Sequence, residues 1–315
     1  MRQKLTTSNT CVILITESAD RQSSTSHFGA AVPPADSTCL TSIRLQVLGG
    51  VTEIMNYTQP HFARESRDLS PTSVLAPSTP PDPQSNAVKP TFSTARSLAD
   101  LSASFTLLQQ RYQQAGLADD DQDCLRVLPY HFCEATQVFV ARTLKEVIGT
   151  VTLVGESEHP LPIFQTYPEL TRRLKRRCGR IGEVTSLAIS SHWSSKGEIF
   201  LGLTRLLTFF ARHHQLDHLV AIVHPRHANF YRLAMGFEII GNTKPCNSVG
   251  GNPGVAVVGS VNDRHCYRQP WRNVFFEGEF APYCLAATPM SDVQANYFFD
   301  LKLSEHLSKA KKTSS

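Results

Sequence analysis

Three segments decide how this chain is read: Glu183-Val-Thr-Ser-Leu-Ala-Ile189, Val223-His-Pro-Arg-His-Ala-Asn-Phe-Tyr231 and Gly236-Phe-Glu238. The first belongs to a stretch rich in Val, Ile, Thr and Leu over Gly182–Ile189, which reads as a strand. The long, strongly apolar run Glu198–His214 reads as a helix, and His218–His224 as a buried strand that feeds a short helix over His227–Met235. Phe237–Ile240 and Gly254–Val261 read as closing strands.

Upstream, Pro168–Arg180 reads as a helix. Gln137–Ala141 and Glu146–Val154 read as a strand pair turned at Arg142–Lys145. Before them, Leu98, Leu101, Phe105, Leu108 and Tyr112 recur at steps of three and four, which predicts a helix over Leu98–Gln114 with Gly116 as its stop. The order is helix, strand pair, helix, strand, helix, strand, helix, strand, strand. Such alternation calls for an α/β fold with a mixed central sheet flanked by helices.

The chain has 315 residues, 41% hydrophobic and 18% charged, enough to bury one sizeable core with length to spare. A formal charge of +4 is too mild to name a partner. Eight cysteines lie far apart with no C-x-x-C pair, which points to reduced thiols in a cytoplasm and away from a disulfide frame or zinc site. Cys11-Val-Ile-Leu-Ile15 is too short for a signal core or a bilayer span, so a soluble protein is expected. Residues 1–90 are rich in Ser, Thr and Pro, with Ser70–Pro83 the clearest linker, and read as a largely disordered leader with Arg44–Leu48 its one candidate strand. Residues 91–262 read as the core domain, 263–303 as an extension packing on it, with a helix over Asp292–Leu303, and 304–315 as a frayed basic tail.

These segments resemble GNAT-fold acyltransferases and, more narrowly, the FeeM-type N-acyl amino acid synthases, relatives of the acyl-homoserine lactone synthases. Collinear matches run from Phe105–Tyr112 through Val147-Ile-Gly-Thr-Val-Thr-Leu153, Leu161-Pro-Ile163, Gly179-Arg180 and Glu183-Val184. They continue through Leu187-Ala-Ile189, Pro225-Arg-His227, Phe230-Tyr231 and Gly236-Phe-Glu238. Ser186 stands where the family's strand carries Arg, His224 where its Pro-Arg-His motif is preceded by Asn, and His192-Trp-Ser-Ser-Lys-Gly197 lacks the Gly-x-Gly/Ala of ordinary coenzyme A enzymes.

The resemblance implies transfer of a medium or long acyl chain from a 4'-phosphopantetheine thioester to the α-amino group of an amino acid. The weak diphosphate loop favours an acyl carrier protein over coenzyme A as the donor's carrier. Glu183, opening an otherwise apolar strand, is the candidate base, since burial raises a carboxyl pKa; it also reads as a strand-end cap or a partner for Arg180. Tyr231 stands where GNAT enzymes place a tyrosine near the donor sulfur, and it reads equally as a core aromatic. His224 is a candidate to share the base role and His227 to bind the acceptor; both also read as structural, and no third ligand at a telling spacing makes them a metal site. Arg111 and Tyr112 end the first helix by the implied acceptor pocket, where Arg111 would pair a carboxylate or simply be solvated.

Backbone of Leu187, Ala188 and Ile189 is expected to pair with pantetheine amides, and Lys196-Gly197 to hold phosphate at a helix N-terminus. Arg172, Arg173, Arg176, Arg177 and Arg180 gather on one side of a helix opposite Leu170, Leu174 and Cys178. They read as a landing patch for an acidic carrier protein beside the donor entrance, or as a solvated face; without interleaved aromatics they do not read as a nucleic-acid platform. A coenzyme A-dependent N-acetyltransferase and a non-catalytic acyl-binding relative, kept open by Ser186, are the rival readings. Acceptor, chain length and oligomeric state are not legible.

Overall fold

The computed structural model describes residues 12–13, 89–118, 124–194, 197–269 and 271–313. In chain order these form β1 (Val12–Ile13), β2 (Thr91–Thr94), α1 (Leu98–Gln114), β3 (Thr136–Arg142), β4 (Val147–Gly155), α2 (Ile163–Thr166), α3 (Leu170–Arg177), β5 (Ile181–Ile189) and α4 (Ser191–Ser194). There follow α5 (Glu198–His213), β6 (His218–Val223), α6 (Pro225–Met235), β7 (Glu238–Ile239), β8 (Lys244–Cys246), β9 (Asn252–Ser260), α7 (Trp271–Phe276) and α8 (Asp292–Thr313). The expected leader and its Arg44–Leu48 strand lie outside the described residues, apart from β1 and residues 89–90.

The sheet runs β2-β3-β4-β5-β6-β9-β7, with β1 on β6 and β8 on β9. Pairs β5–β6 and β1–β6 are parallel and the others antiparallel, so the sheet is mixed, as the α/β reading requires. One face packs α5, α6 and α7, where Ile199, Leu203 and Phe210 meet Phe139, Val184 and Leu187. The other packs α1, α2 and α3, where Leu108, Ile163 and Leu174 meet Ile181, Ala188 and Ile222. Along β6, Leu219, Ala221 and Val223 point to the first face and Val220 and Ile222 to the second. A strand buried on both faces needs apolar residues at every position, which explains the unbroken His-Leu-Val-Ala-Ile-Val run.

α1 begins and ends where the sequence places it. Ser97 accepts the Asp100 N–H at 3.0 Å while the Asp100 carboxylate accepts the Ser97 N–H at 3.4 Å, a capping box. At the other end Gly116 takes φ +67°, a left-handed turn that glycine enters without steric cost. α3 is shorter than the expected Pro168–Arg180, because Gly179 at φ +60° turns the chain into β5. α8 runs to Thr313, past the expected end at Leu303.

β5 is bent. Its register with β4 shifts between Thr150 and Thr152, and Ser186 holds φ +53°, a conformation that costs a residue with a Cβ about 1–2 kcal/mol. The Tyr130–Ser186 hydroxyl pair at 2.6 Å ties that bulge to the segment before β3. Beyond the bend the two parallel strands part: β5 pairs with β6 at Ile181↔His218, Gly182↔Leu219 and Glu183↔Val220, and no further. β1 lies on β6 at Ile222 and Val223, the stretch that β5 has left.

The chain after β9 covers both faces. Arg205 and Arg212 of α5 donate to the carbonyls of Val274, Glu277 and Val261, clamping α7. Phe298 of α8 sets its edge on Phe105 at 5.1 Å between centroids, and Thr288 is bonded to the Gln137 side chain. Among the described residues no helix is long and apolar enough to cross a membrane.

Candidate functional site

The fork between β5 and β6 is where the expected residues meet. Glu183 is the last β5 residue paired with β6 and is fully buried. Its Oε2 accepts the backbone N–H of Ile163, the first residue of α2, at 2.6 Å. The alternative partner, Arg180, turns away: its side chain reaches Gln215 at 3.4 Å and its amide donates to Asp217 at 2.9 Å. Leu187, Ala188 and Ile189 lie beyond the fork, paired with β4 on one edge at Thr150↔Ala188 and Gly149↔Ile189. A pantetheine arm pairing with their other edge would enter the gap into which β1 has added itself, and would displace it.

Tyr231 sits on the α5 face, buried on α6, and burial pushes its phenol pKa up, so it stays protonated and able to donate. It lines an apolar cavity of about 40 Å³ with Val184 and Leu187 of β5, Phe200 and Leu207 of α5, and Phe275 of α7. The aromatic residues after β9 therefore divide: Phe275 lines this cavity, whereas Phe298 packs on the opposite face and Tyr283 is exposed.

His224 caps α6, its Nδ1 accepting the Arg226 N–H at 3.3 Å; burial first and Arg226 second lower its pKa, which keeps the ring neutral. His227 accepts from Arg226 Nε at 3.1 Å, and the two imidazole centroids lie 6.2 Å apart. Among the described residues no group of three His, Cys, Asp or Glu side chains is placed to hold a metal ion. Gly197 opens α5 at φ +64°, while Lys196 lies outside the described residues.

The α1 face is the polar one. Tyr112 is buried, and the guanidinium of Arg126 lies over its ring at 4.8 Å. Half-buried Arg111, whose pKa burial lowers, is bonded to the Gln114 side chain one turn on. His131 is buried and neutral, its pKa pushed down to about 3 by burial and then by Arg126. Its Nδ1 accepts the Leu128 N–H at 3.0 Å, so the proton is on Nε2, which donates to Thr152 at 3.5 Å. Arg126, Tyr130 and His131 were not expected from the sequence: they lie in Cys124–Cys133, which has no period or motif, and only the fold brings Tyr130 to Ser186 of β5, His131 to Thr152 of β4 and Arg126 to Tyr112.

The arginine row lies on α3, whose Leu170, Leu174 and Cys178 are buried as expected. α3 packs on the α1 face of the sheet and α5 on the opposite face. Arg177 forks onto Glu238 at 2.7 and 3.0 Å, and Arg173 lies 3.5 Å from the same carboxylate.

A mixed sheet with a bulged strand and a fork beside it is a GNAT-like fold. Residues 103–259 match the family described as N-acyl amino acid synthase FeeM. Among solved structures, that of FeeM, an N-acyl amino acid synthase from uncultured soil microbes, is 19% identical, covers 57% of this chain and 95% of its own, and superposes with a TM-score of 0.50. The acyl-homoserine lactone synthase LasI is 16% identical over 62% of this chain and 98% of its own, with a TM-score of 0.47. A putative N-acetyltransferase from Lactobacillus plantarum is 17% identical over 56% and 99%, with a TM-score of 0.39. No curated protein matches the sequence.

Proposed function

We propose that this N-acyltransferase moves an acyl chain from a pantetheine thioester carried by an acyl carrier protein to the α-amino group of an amino acid. The observation that carries this reading is the position of Glu183, a fully buried carboxylate at the residue where β5 and β6 part. The thioester lies in the fork, its acyl chain in the dry α5 face and its carbonyl turned to the α1 face. The acceptor ammonium gives a proton to Glu183, directly or through water, and the freed amine attacks the carbonyl carbon. The C–N bond forms and the C–S bond breaks; Tyr231 donates to the departing sulfur, and the second nitrogen proton restores the phenol or leaves to solvent. No covalent acyl-enzyme is needed.

In this reading His224, half-buried after β6 with its pKa lowered by burial, shares the base role, and His227, whose ring lies 6.2 Å away, binds the acceptor. Gly197 opens α5 toward the donor's phosphate. The location consistent with such a donor is the cytoplasm.

One observation favours the rival short-chain reading: the cavity at Tyr231, about 40 Å³, is too small for a long chain unless Phe275 or its neighbours move. Purified full-length protein offered octanoyl- and palmitoyl-acyl carrier protein, in parallel with acetyl-coenzyme A, and a panel of amino acids separates the two. Thiol release with long donors supports the synthase reading; release with acetyl-coenzyme A alone replaces it with an acetyltransferase.

A further inference from the structure

The α1 face holds an anion-binding pair that the sequence reading did not single out. Arg126 comes from the loop before β3 and is fixed there, its N–H donating to the Phe105 carbonyl of α1 at 3.1 Å and its guanidinium lying over Tyr112. One nitrogen, Nη2, donates to the carbonyl of Ser248, in the short 3-10 turn Asn247–Val249 between β8 and β9. The Nε of Arg126 is buried and has no hydrogen-bond partner among the described residues, and the same holds for the Oγ of Ser248. Two buried donors left open side by side are costly, and a structure keeps them where something else completes them.

The surroundings select what that is. The guanidinium is a permanent cation with planar donors, and an added hydroxyl donor beside it suits a carboxylate. His131, neutral and within electrostatic reach of Arg126, adds no negative charge to compete. The turn carrying Ser248 is itself held to the end of α1, since Asn252 donates to the carbonyls of Val249 and Gly116 at 2.8 and 3.2 Å. Arg111 lacks this character: its guanidinium is bonded to Gln114 at the surface end of the same helix. Tyr112, under the Arg126 guanidinium, belongs to the same buried cluster as Tyr130, Ile163 and Ala188.

We infer that Arg126 and Ser248 hold the α-carboxylate of the acceptor, with Arg126 and not Arg111 as the residue that makes this enzyme select amino acids over simple amines. The inference rests on the amino-acid reading of the proposed function. It also supplies what Ser186 cannot, a cation on the acceptor face from a different segment of the chain.

The test uses the full-length protein, its accepted acyl donor, and amino acids paired with their decarboxylated amines, leucine with isoamylamine and phenylalanine with phenethylamine. Arg126→Gln is expected to raise KM for the amino acids roughly 10- to 100-fold with kcat little changed and the amines unaffected; Ser248→Ala is expected to raise it about 3- to 10-fold. Equal losses for both acceptor types, or an unchanged amino-acid KM in both variants, overturn the assignment. Ser248→Ala removes one hydroxyl and carries the test if Arg126→Gln does not fold. If the wild type acylates no amino acid, the synthase reading fails, and calorimetric titration with the same amino acids still decides the site. Binding at least 10-fold tighter to wild type than to Arg126→Gln upholds it, and equal or absent binding overturns it.

Discussion

The two faces of the sheet at the β5–β6 fork are built from opposite materials. On the α5 face, Val184, Leu187, Phe200, Leu207 and Phe275 close around one phenol, Tyr231. On the α1 face the same strand carries the buried carboxylate of Glu183 and the Tyr130–Ser186 hydroxyl pair, and the neutral His131 and the Arg126 guanidinium lie on the same side of the sheet. The difference suits the two proposed substrates, which are of unlike chemistry. An acyl chain needs only a dry, shaped volume, whereas an amino acid brings an ammonium and a carboxylate, each of which needs a placed partner. The bulge at Ser186 lies where β5 parts from β6, beyond Glu183.

If the α5 face is a packed volume for an acyl chain, cutting into it costs most in stability. Phe275→Ala should destabilise the fold by about 3–5 kcal/mol, read by chemical denaturation, because Phe275 is almost wholly buried against α5. The enlarged cavity should also shift donor preference to longer chains; an unchanged chain-length profile would detach the cavity from the acyl group. Next in size, Tyr231→Phe removes one hydroxyl from this face and should lower kcat by about 10²-fold, the lower end of proton-transfer effects, since a thiol leaves readily. A fall under twofold would make Tyr231 a core aromatic and nothing more.

The pH-dependent effect belongs to the polar face. His131 has a folded pKa of about 3 against an ordinary value of 6.5, so the unfolded chain takes up a proton at a pH where the folded one does not. Its contribution is therefore intact above pH 6.5 and is lost as pH falls toward 3, at up to ~1.4 kcal/mol per pH unit. Denaturation curves of the wild type and His131→Gln between pH 7 and pH 4 should show a shallower acid decline in the variant; parallel curves would mean that His131 is not held neutral.

What the sequence discloses follows from where local signals are strong. α1 is legible to the residue because its apolar steps and its Gly116 stop are local to the segment. Glu183 stands out as a charge in an apolar strand, and the structure buries it as that contrast suggests. The arginine row of α3 shows the opposite case. Periodicity names the buried stripe of a helix, yet nothing in it says which face of the sheet the helix will cover. Short elements such as α2 and β8 have too few residues for a period. Arg126 and Ser248 lie 122 positions apart, and their relation exists only once α1 and the β8–β9 turn have closed on each other.

The claim that most needs testing is that Glu183 is the base at the fork. Lipids extracted from a bacterial host expressing the wild-type chain or Glu183→Gln, and compared by mass spectrometry, test it directly. Glutamine keeps the shape and can still accept from the Ile163 N–H, so the fold is preserved while the base is removed. The account predicts new N-acyl amino acids from the wild type and a loss of roughly 10²–10⁴-fold in the variant. Equal amounts of the same lipids from both would contradict it.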